Sequence, residues 1–191
     1  MATISIFGQG NMGKALAQCF EQAGHVVTFI GRNEPDKTLG EIVIFAVPFA
    51  SIDNIIKQYA HKLADKIIVD ISNPVDFDTM DSLLVPADSS ATAIIAQKLP
   101  HSAVIKAFNT NFSAHLSSGK VADQVQTTVL LAGDCEQSKA TFINALNGSG
   151  LTLKDAGSLK RARELEALGF LQITLAIREQ ISWNGGLALF E

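Results

Sequence analysis

Short apolar runs alternate with amphipathic stretches along the whole chain. Thr3 to Phe7 is apolar and ends at Gly8, which predicts a buried strand. Met12, Ala15, Leu16, Cys19, Phe20 and Ala23 then fall at the spacing of one helical face, and Gly24 stops that helix. Val26 to Ile30 is a second strand closed by Gly31, and Ile42 to Val47 a third closed by Pro48. Ile52, Ile55, Ile56, Tyr59 and Leu63 mark an amphipathic helix, and Ile67 to Ile71 a fourth strand running into Ser72-Asn73-Pro74. A loop rich in Asp, Ser and Pro spans 75–90. A helix from Ala91 to Leu99 and a strand from Ala103 to Phe108 follow it. Asn109 to Val125 is polar with a weak helical pattern. The rest predicts a strand from Thr127 to Ala132, a helix from Cys135 to Leu146 capped by Asp134, and a short strand from Leu151 to Asp155. A long helix from Lys160 to Ile181 ends the pattern.

Strands alternating with helices give an α/β fold, a doubly wound and mostly parallel sheet. Between Gly31 and Glu41 there is no room for a helix and a strand, so the second βα unit is shortened. No repeat or linker divides the chain. One domain over 1–191 is expected, with 151–191 as a C-terminal strand-and-helix extension. The last helix carries Leu165, Leu168, Phe170, Leu171, Ile173, Leu175 and Ile177 almost all round. Something must bury it, either a second copy in a homodimer or the chain's own sheet.

Composition adds only limits. Apolar residues make up 47% of the 191, which suffices for a sizeable core. The net charge of −4 and the absence of a Lys/Arg run argue against nucleic acid as a partner. Cys19 and Cys135 stand apart and offer no metal-ligand spacing, so no metal is expected. Unclustered thiols, no leader-like N-terminus and no apolar run of ~18–20 residues point to a cytoplasmic protein without a membrane partner.

The chemistry is concentrated in Gly8-Gln9-Gly10-Asn11-Met12-Gly13. This turn leaves a strand and opens a helix, the context in which a G-x-G-x-x-G motif cradles a dinucleotide pyrophosphate. Gly8 allows the tight turn, Gly10 lets the phosphate approach the backbone, and Gly13 lets helix and strand pack closely. Free N–H groups and the helix dipole then face the anion. Gly8 to Lys14 also reads as a near P-loop, with Asp70 in the place of its acid. Position 15 is Ala where that motif needs a hydroxyl on Mg²⁺, so the NTPase reading is the weaker. The second strand ends Ile30-Gly31-Arg32-Asn33, with no acid for a ribose 2′-hydroxyl. Arg32 is a fork-shaped cation suited to a 2′-phosphate, with Asn33 and Lys37 in support, so NADP(H) is favoured over NAD. A solvated surface arginine is the competing reading.

Conventional catalytic motifs are missing. Tyr59 is the only tyrosine and Leu63 stands four residues on, so there is no Tyr-x-x-x-Lys dyad. His25, His61 and His101 suit structural or solvated roles. His115 lies just beyond Asn109 and could donate a proton or be structural. Asn109 could orient a nicotinamide amide or simply end a strand. No catalytic residue is assigned.

At this point the sequence resembles the deazaflavin-dependent NADP oxidoreductases. It is similar also to the NADPH module of membrane ferric reductases. The resemblance rests on the glycine turn, Gly24-His25-Val26-Val27, Gly31-Arg32, Ala46-Val47-Pro48-Phe49 and Asn73-Pro74. Ser90-Ala91 leading to Leu99-Pro100, then Val104-Ile105-Lys106-Ala107-Phe108-Asn109-Thr110, and Asn184-Gly185-Gly186 complete it. It implies a Rossmann-like fold and hydride transfer between NADPH and a small-molecule redox substrate or second cofactor. That partner would be a deazaflavin, a flavin, a ferric chelate, a quinone or a small carbonyl or imine. By position it implies that Gln9, Gly10, Asn11 and Met12 meet the pyrophosphate, and that Gly31 and Arg32 meet the 2′-phosphate, beside Gly8 and Asn33 as read above from the turn and the strand end. Val47, Pro48 and Phe49 would lie along the nicotinamide ribose, and Asn73, Pro74, Ala107, Phe108 and Asn109 along the nicotinamide. A non-catalytic NADP(H)-binding regulator is the alternative that the missing catalytic groups leave open.

Overall fold

The computed structural model describes residues 1–32 and 34–190. Strand β1 (Thr3–Phe7) leads through Gly8-Gln9-Gly10 into helix α1 (Asn11–Gln22), and the chain returns as β2 (Val26–Ile30). Next come β3 (Ile42–Phe45), α2 (Phe49–Leu63) and β4 (Ile67–Asp70). These are followed by α3 (Ala91–Lys98), β5 (Ala103–Ala107) and the short helix α4 (Ser113–Ser118). A two-stranded ribbon, β6 (Lys120–Val121) and β7 (Val125–Gln126), precedes β8 (Thr128–Gly133). The chain closes with α5 (Glu136–Asn144), β9 (Thr152–Asp155), a 3₁₀ turn over Leu159–Arg161 and α6 (Ala162–Ile177).

The main sheet has seven strands in the order β2-β1-β3-β4-β5-β8-β9. The first five are parallel; β8 is antiparallel to β5 and carries β9 parallel to itself. Alternate residues serve the two faces, as the pleat requires. On β3, Ile42 and Ile44 join the cluster beneath α1, α4 and α5, while Val43 and Phe45 join the one beneath α2 and α3. The Rossmann-like, doubly wound expectation therefore holds. The sheet ends at β2, and the chain crosses β1 with no helix among the described residues. That crossing is pinned by Leu39 in the core, by Gly40 N–H donating to Ser5 Oγ, and by Lys62 donating to Pro35 O. Gly40 fits because a Cβ there would stand 2.3 Å from Thr3 O.

Within the single chain, α6 buries one face against the rest of the fold. Its inward stripe is Ala162, Leu165, Glu166, Gly169, Gln172 and Ala176, packed on α3 and β8, while Leu171 and Ile177 face solvent. The 109–125 stretch also holds more than weak helix: α4 and the β6–β7 ribbon. No helix among the described residues is long and apolar enough to cross a membrane.

Candidate functional site

Strand β1 passes through α1 to β2 on one side, and β3 lies on its other side. The order of the sheet therefore reverses at β1, and a crevice opens there at the carboxyl ends of the strands. Gly8 closes the bottom of that crevice. It adopts φ +109°, and a Cβ on it would stand 2.1 Å from Ala46 O. Ala46, Val47 and Pro48 leave the strand pattern early to meet this turn, and Ala46 N–H donates to Phe7 O at 2.8 Å. Gly13 packs α1 down on the same turn, since its Cβ would meet Gly8 O at 2.2 Å. Nothing lies within 4 Å of where a Gly10 Cβ would point. Open space therefore adjoins the first turn of α1, whose N-terminal residue supplies no side-chain cap and which holds no acid.

The cleft beside this turn has a volume of about 650 Å³. Gly8, Gln9, Gly31, Arg32, Val47 and Pro48 line it, as the sequence pattern proposes for a ligand site. Gly10, Asn11 and Met12 lie next to it at the helix start, and Phe49 begins α2 packed against the core. Asn33 falls outside the described residues. The opposite wall went unforeseen: Ser51, Asn54, Ile55, Gln58 and Tyr59 of α2. Tyr59 packs edge-on against Phe7, with ring centroids 4.9 Å apart. Its hydroxyl is buried near the Glu34 backbone without a hydrogen-bond partner, and burial pushes its pKa up.

The second group of expected residues gathers at the ends of β4 and β5. Asn73 Nδ2 donates to Asn109 O at 2.8 Å, and Asn109 Nδ2 donates to Asn73 Oδ1 at 2.9 Å and to Leu165 O at 2.7 Å. Two acceptors on Nδ2 fix the amide orientation, and Asn109 Oδ1 is left buried without a donor. Gly169 of α6 sits on this pair, because a Cβ there would come within 2.5 Å of Asn73 Oδ1. Phe108 turns the chain at φ +63°, a costly conformation for a bulky residue, which swings Asn109 across to Asn73. The side chains of Ala107 and Phe108 are fully buried, with the Phe108 ring against Phe142, so only their backbone could meet a ligand. Pro74 is buried as well.

Behind the asparagines lies a buried ionic cluster that no spacing in the sequence foretells. Lys106 Nζ lies 2.8 Å from Asp70 Oδ2 and 2.9 Å from Glu166 Oε1, and it donates to Ser72 O at 2.6 Å. Thr92 Oγ1 donates to Asp70, and the Ala91 and Thr92 N–H groups at the start of α3 donate to Glu166. Lys106 thus holds the Ser72 carbonyl, one residue before Asn73. The P-loop alternative loses its parts here: Asp70 is committed to Lys106, Lys14 is exposed, and Ala15 is buried in the core.

His115 is a clasp rather than a free proton donor. Phe112 N–H donates to its Nδ1 at 3.1 Å, which leaves Nε2–H to donate to Gly185 O at 3.0 Å. Burial holds this imidazole below its usual range. His25 Nδ1 accepts from Ala2 N–H, and Cys19 is a core thiol pushed up to about 11 by burial. Among the described residues no group of His, Cys, Asp or Glu is placed to hold a metal ion.

Fold and glycine turn are those of a dinucleotide-binding, Rossmann-like domain, and comparison with known proteins makes it an NADP(H)-dependent oxidoreductase. The chain is 29% identical over 177 residues to the F420-dependent NADP reductase of Methanocaldococcus jannaschii, covering 90% of this chain and 78% of that protein. It is 29% identical over 182 residues to the metalloreductase STEAP3 of Rattus norvegicus, covering 86% of this chain but 36% of that protein. A solved structure of a candidate F420-dependent NADP reductase from Arthrobacter sp. FB24 superposes with a TM-score of 0.86 and 25% identity over 100% of both chains. No family model matches. The resemblance to the deazaflavin-dependent NADP oxidoreductases therefore stands on both sequence and structure.

Proposed function

We propose that this oxidoreductase passes a hydride between NADP(H) and a deazaflavin of the F420 type. The observation that carries the reading is the open N-terminus of α1 at the sheet's reversal point, with Arg32 on the rim of the same cleft. Deazaflavin is preferred as the partner because the match to the F420-dependent reductase runs over most of that protein. The metalloreductase match is confined to about a third of its relative.

The residues fit the cofactor. Gly8, Gln9, Gly10, Asn11 and Met12 would hold the pyrophosphate on backbone N–H groups, with the helix dipole adding attraction. Gly31, Arg32 and Asn33 would receive the 2′-phosphate. Asn54 and Gln58 of α2 would supply polar contacts along the adenosine wall. Val47, Pro48 and Phe49 would run beside the nicotinamide ribose. Asn109 Oδ1, buried and lacking a donor, suits the N–H of a carboxamide, with Asn73 and Pro74 and the backbone at Ala107 and Phe108 around it. When bound, NADPH supplies the hydride. The chain's part is to orient the rings and exclude water, which hydride transfer requires more than an acid or base. A cytoplasmic setting accords with the two free cysteines. A homodimer would cover Leu171 and Ile177, the exposed apolar residues of α6.

The test is NADPH oxidation by the purified protein with F420, free flavin, a ferric chelate and a quinone in parallel. F420 reduced mole for mole with NADPH consumed is the expected result. Turnover with a ferric chelate and none with F420 would overturn the deazaflavin assignment. Tight NADPH binding without turnover on any acceptor would favour the regulator.

A further inference from the structure

The loop after β2 already answers some of the cleft's donors. Gly31 N–H donates to Glu34 Oε2 at 2.7 Å. The same oxygen accepts from Lys37 Nζ at 3.0 Å, and Lys37 also donates to Phe29 O at 2.9 Å, which fixes the ammonium at the end of β2. The carboxylate lies directly on Gly31, where a Cβ would meet Glu34 Oε2 at 3.1 Å. Gly31 and Arg32 line the cleft. An anion of this chain therefore stands on a backbone donor and a cation at the rim of the site.

We propose that Glu34 is a displaceable internal anion occupying the subsite for the 2′-phosphate of the adenosine ribose. The inference rests on the NADP(H) reading above. Gly31 N–H and the Lys37 ammonium become available to the phosphate only when the Glu34 carboxylate leaves them. The exchange replaces one anion with another on the same donors, and the dianionic phosphate carries three acceptor oxygens where the carboxylate offers two. Glu34 is exposed, and solvent-exposed ion pairs are weak, so the plug is easily expelled. An acid placed at the strand end would accept the ribose 2′-hydroxyl of NAD. Glu34 comes four residues after Ile30, the end of β2, and is turned back on the backbone. It therefore weighs against the 2′-phosphate without rewarding the hydroxyl. Its removal should widen the preference for NADP.

The test compares wild type with Glu34→Gln and Glu34→Ala by calorimetric titration of NADP⁺, NAD⁺, adenosine 2′,5′-bisphosphate and 5′-AMP. Both variants should bind the two 2′-phosphorylated ligands about three- to tenfold more tightly, with NAD⁺ and 5′-AMP shifted by less than about twofold, and high salt should shrink the difference. Unchanged or weaker binding of the bisphosphate in both variants would overturn the proposal and make Glu34 a support for the loop. If wild type binds the bisphosphate no better than 5′-AMP, the NADP(H) reading fails and takes this inference with it. A gain with the bisphosphate that NADP⁺ does not share would also overturn it.

Discussion

Helices α1 and α3 begin with the same need and meet it in opposite ways. Each starts with N–H groups that have no partner within the helix and a dipole that favours negative charge. At α3 the chain supplies everything. Ser90 Oγ caps Ala93 N–H, the Glu166 carboxylate takes Ala91 and Thr92, and Lys106 offsets that carboxylate from behind. At α1 the chain supplies nothing: Gly10 has no side chain to cap with, the first turn holds no acid, and space stands open beside it. One terminus is closed by internal charge; the other is left open. The Gly31–Glu34 contact lies between the two, a donor filled by the chain's own anion but at the surface.

The largest effect should come from breaking the closed end. Glu166→Ala leaves Lys106 without one of its carboxylates and the α3 N–H groups without an acceptor, all in the interior. Removing one partner of a buried ion pair costs about 3–5 kcal/mol. Urea unfolding should show that loss, and a change below about 1 kcal/mol would mean that internal charge does not hold α3.

A smaller effect probes the tail that His115 ties down. Its folded-state pKa is depressed by burial, so the unfolded chain takes up the proton first. Stability from the neutral imidazole is complete above the unfolded value near 6.5 and is lost as pH falls through the depressed folded value. The Glu34, Asp76 and Glu164 carboxyls lie below their usual range, held there respectively by Gly31 N–H, Thr79 and Arg163, and remain ionised through that window. Wild type should therefore lose more stability than His115→Gln, which cannot titrate, between neutral and mildly acid pH in thermal melts. Equal slopes would contradict the clasp.

The open site was legible in the sequence because its signals are local. The strand, glycine turn and helix at Thr3–Gln22 and the strand end at Gly31-Arg32 need no knowledge of distant residues. The closed site was not. Asp70, Lys106 and Glu166 lie far apart in sequence and meet only through the sheet order and the docking of α6. A lysine in an apolar strand announces burial but not its partners. The α2 wall was missed for a related reason: Asn54 and Gln58 look like a solvated face beside the core stripe of Ile52, Ile56 and Leu63, and only the fold turns that face onto a cleft. The β6–β7 ribbon escaped because its turn uses Ala122 and Asp123 at φ +51° and +58°, where an Asn-Gly pair would have marked it.

If the bare start of α1 is a phosphate site, as proposed, Gly10→Asp should close it. Gly10 has φ −72°, which any residue adopts, and its Cβ direction is open, so the variant should fold. It gives α1 the internal anion that α3 already has. Stability should rise by about 0.5–1 kcal/mol, as expected for an acidic N-cap replacing glycine. NADPH affinity, read by fluorescence titration, should fall about a hundredfold or more as the carboxylate opposes the pyrophosphate. A stabilised variant that still binds NADPH like wild type would contradict that proposal.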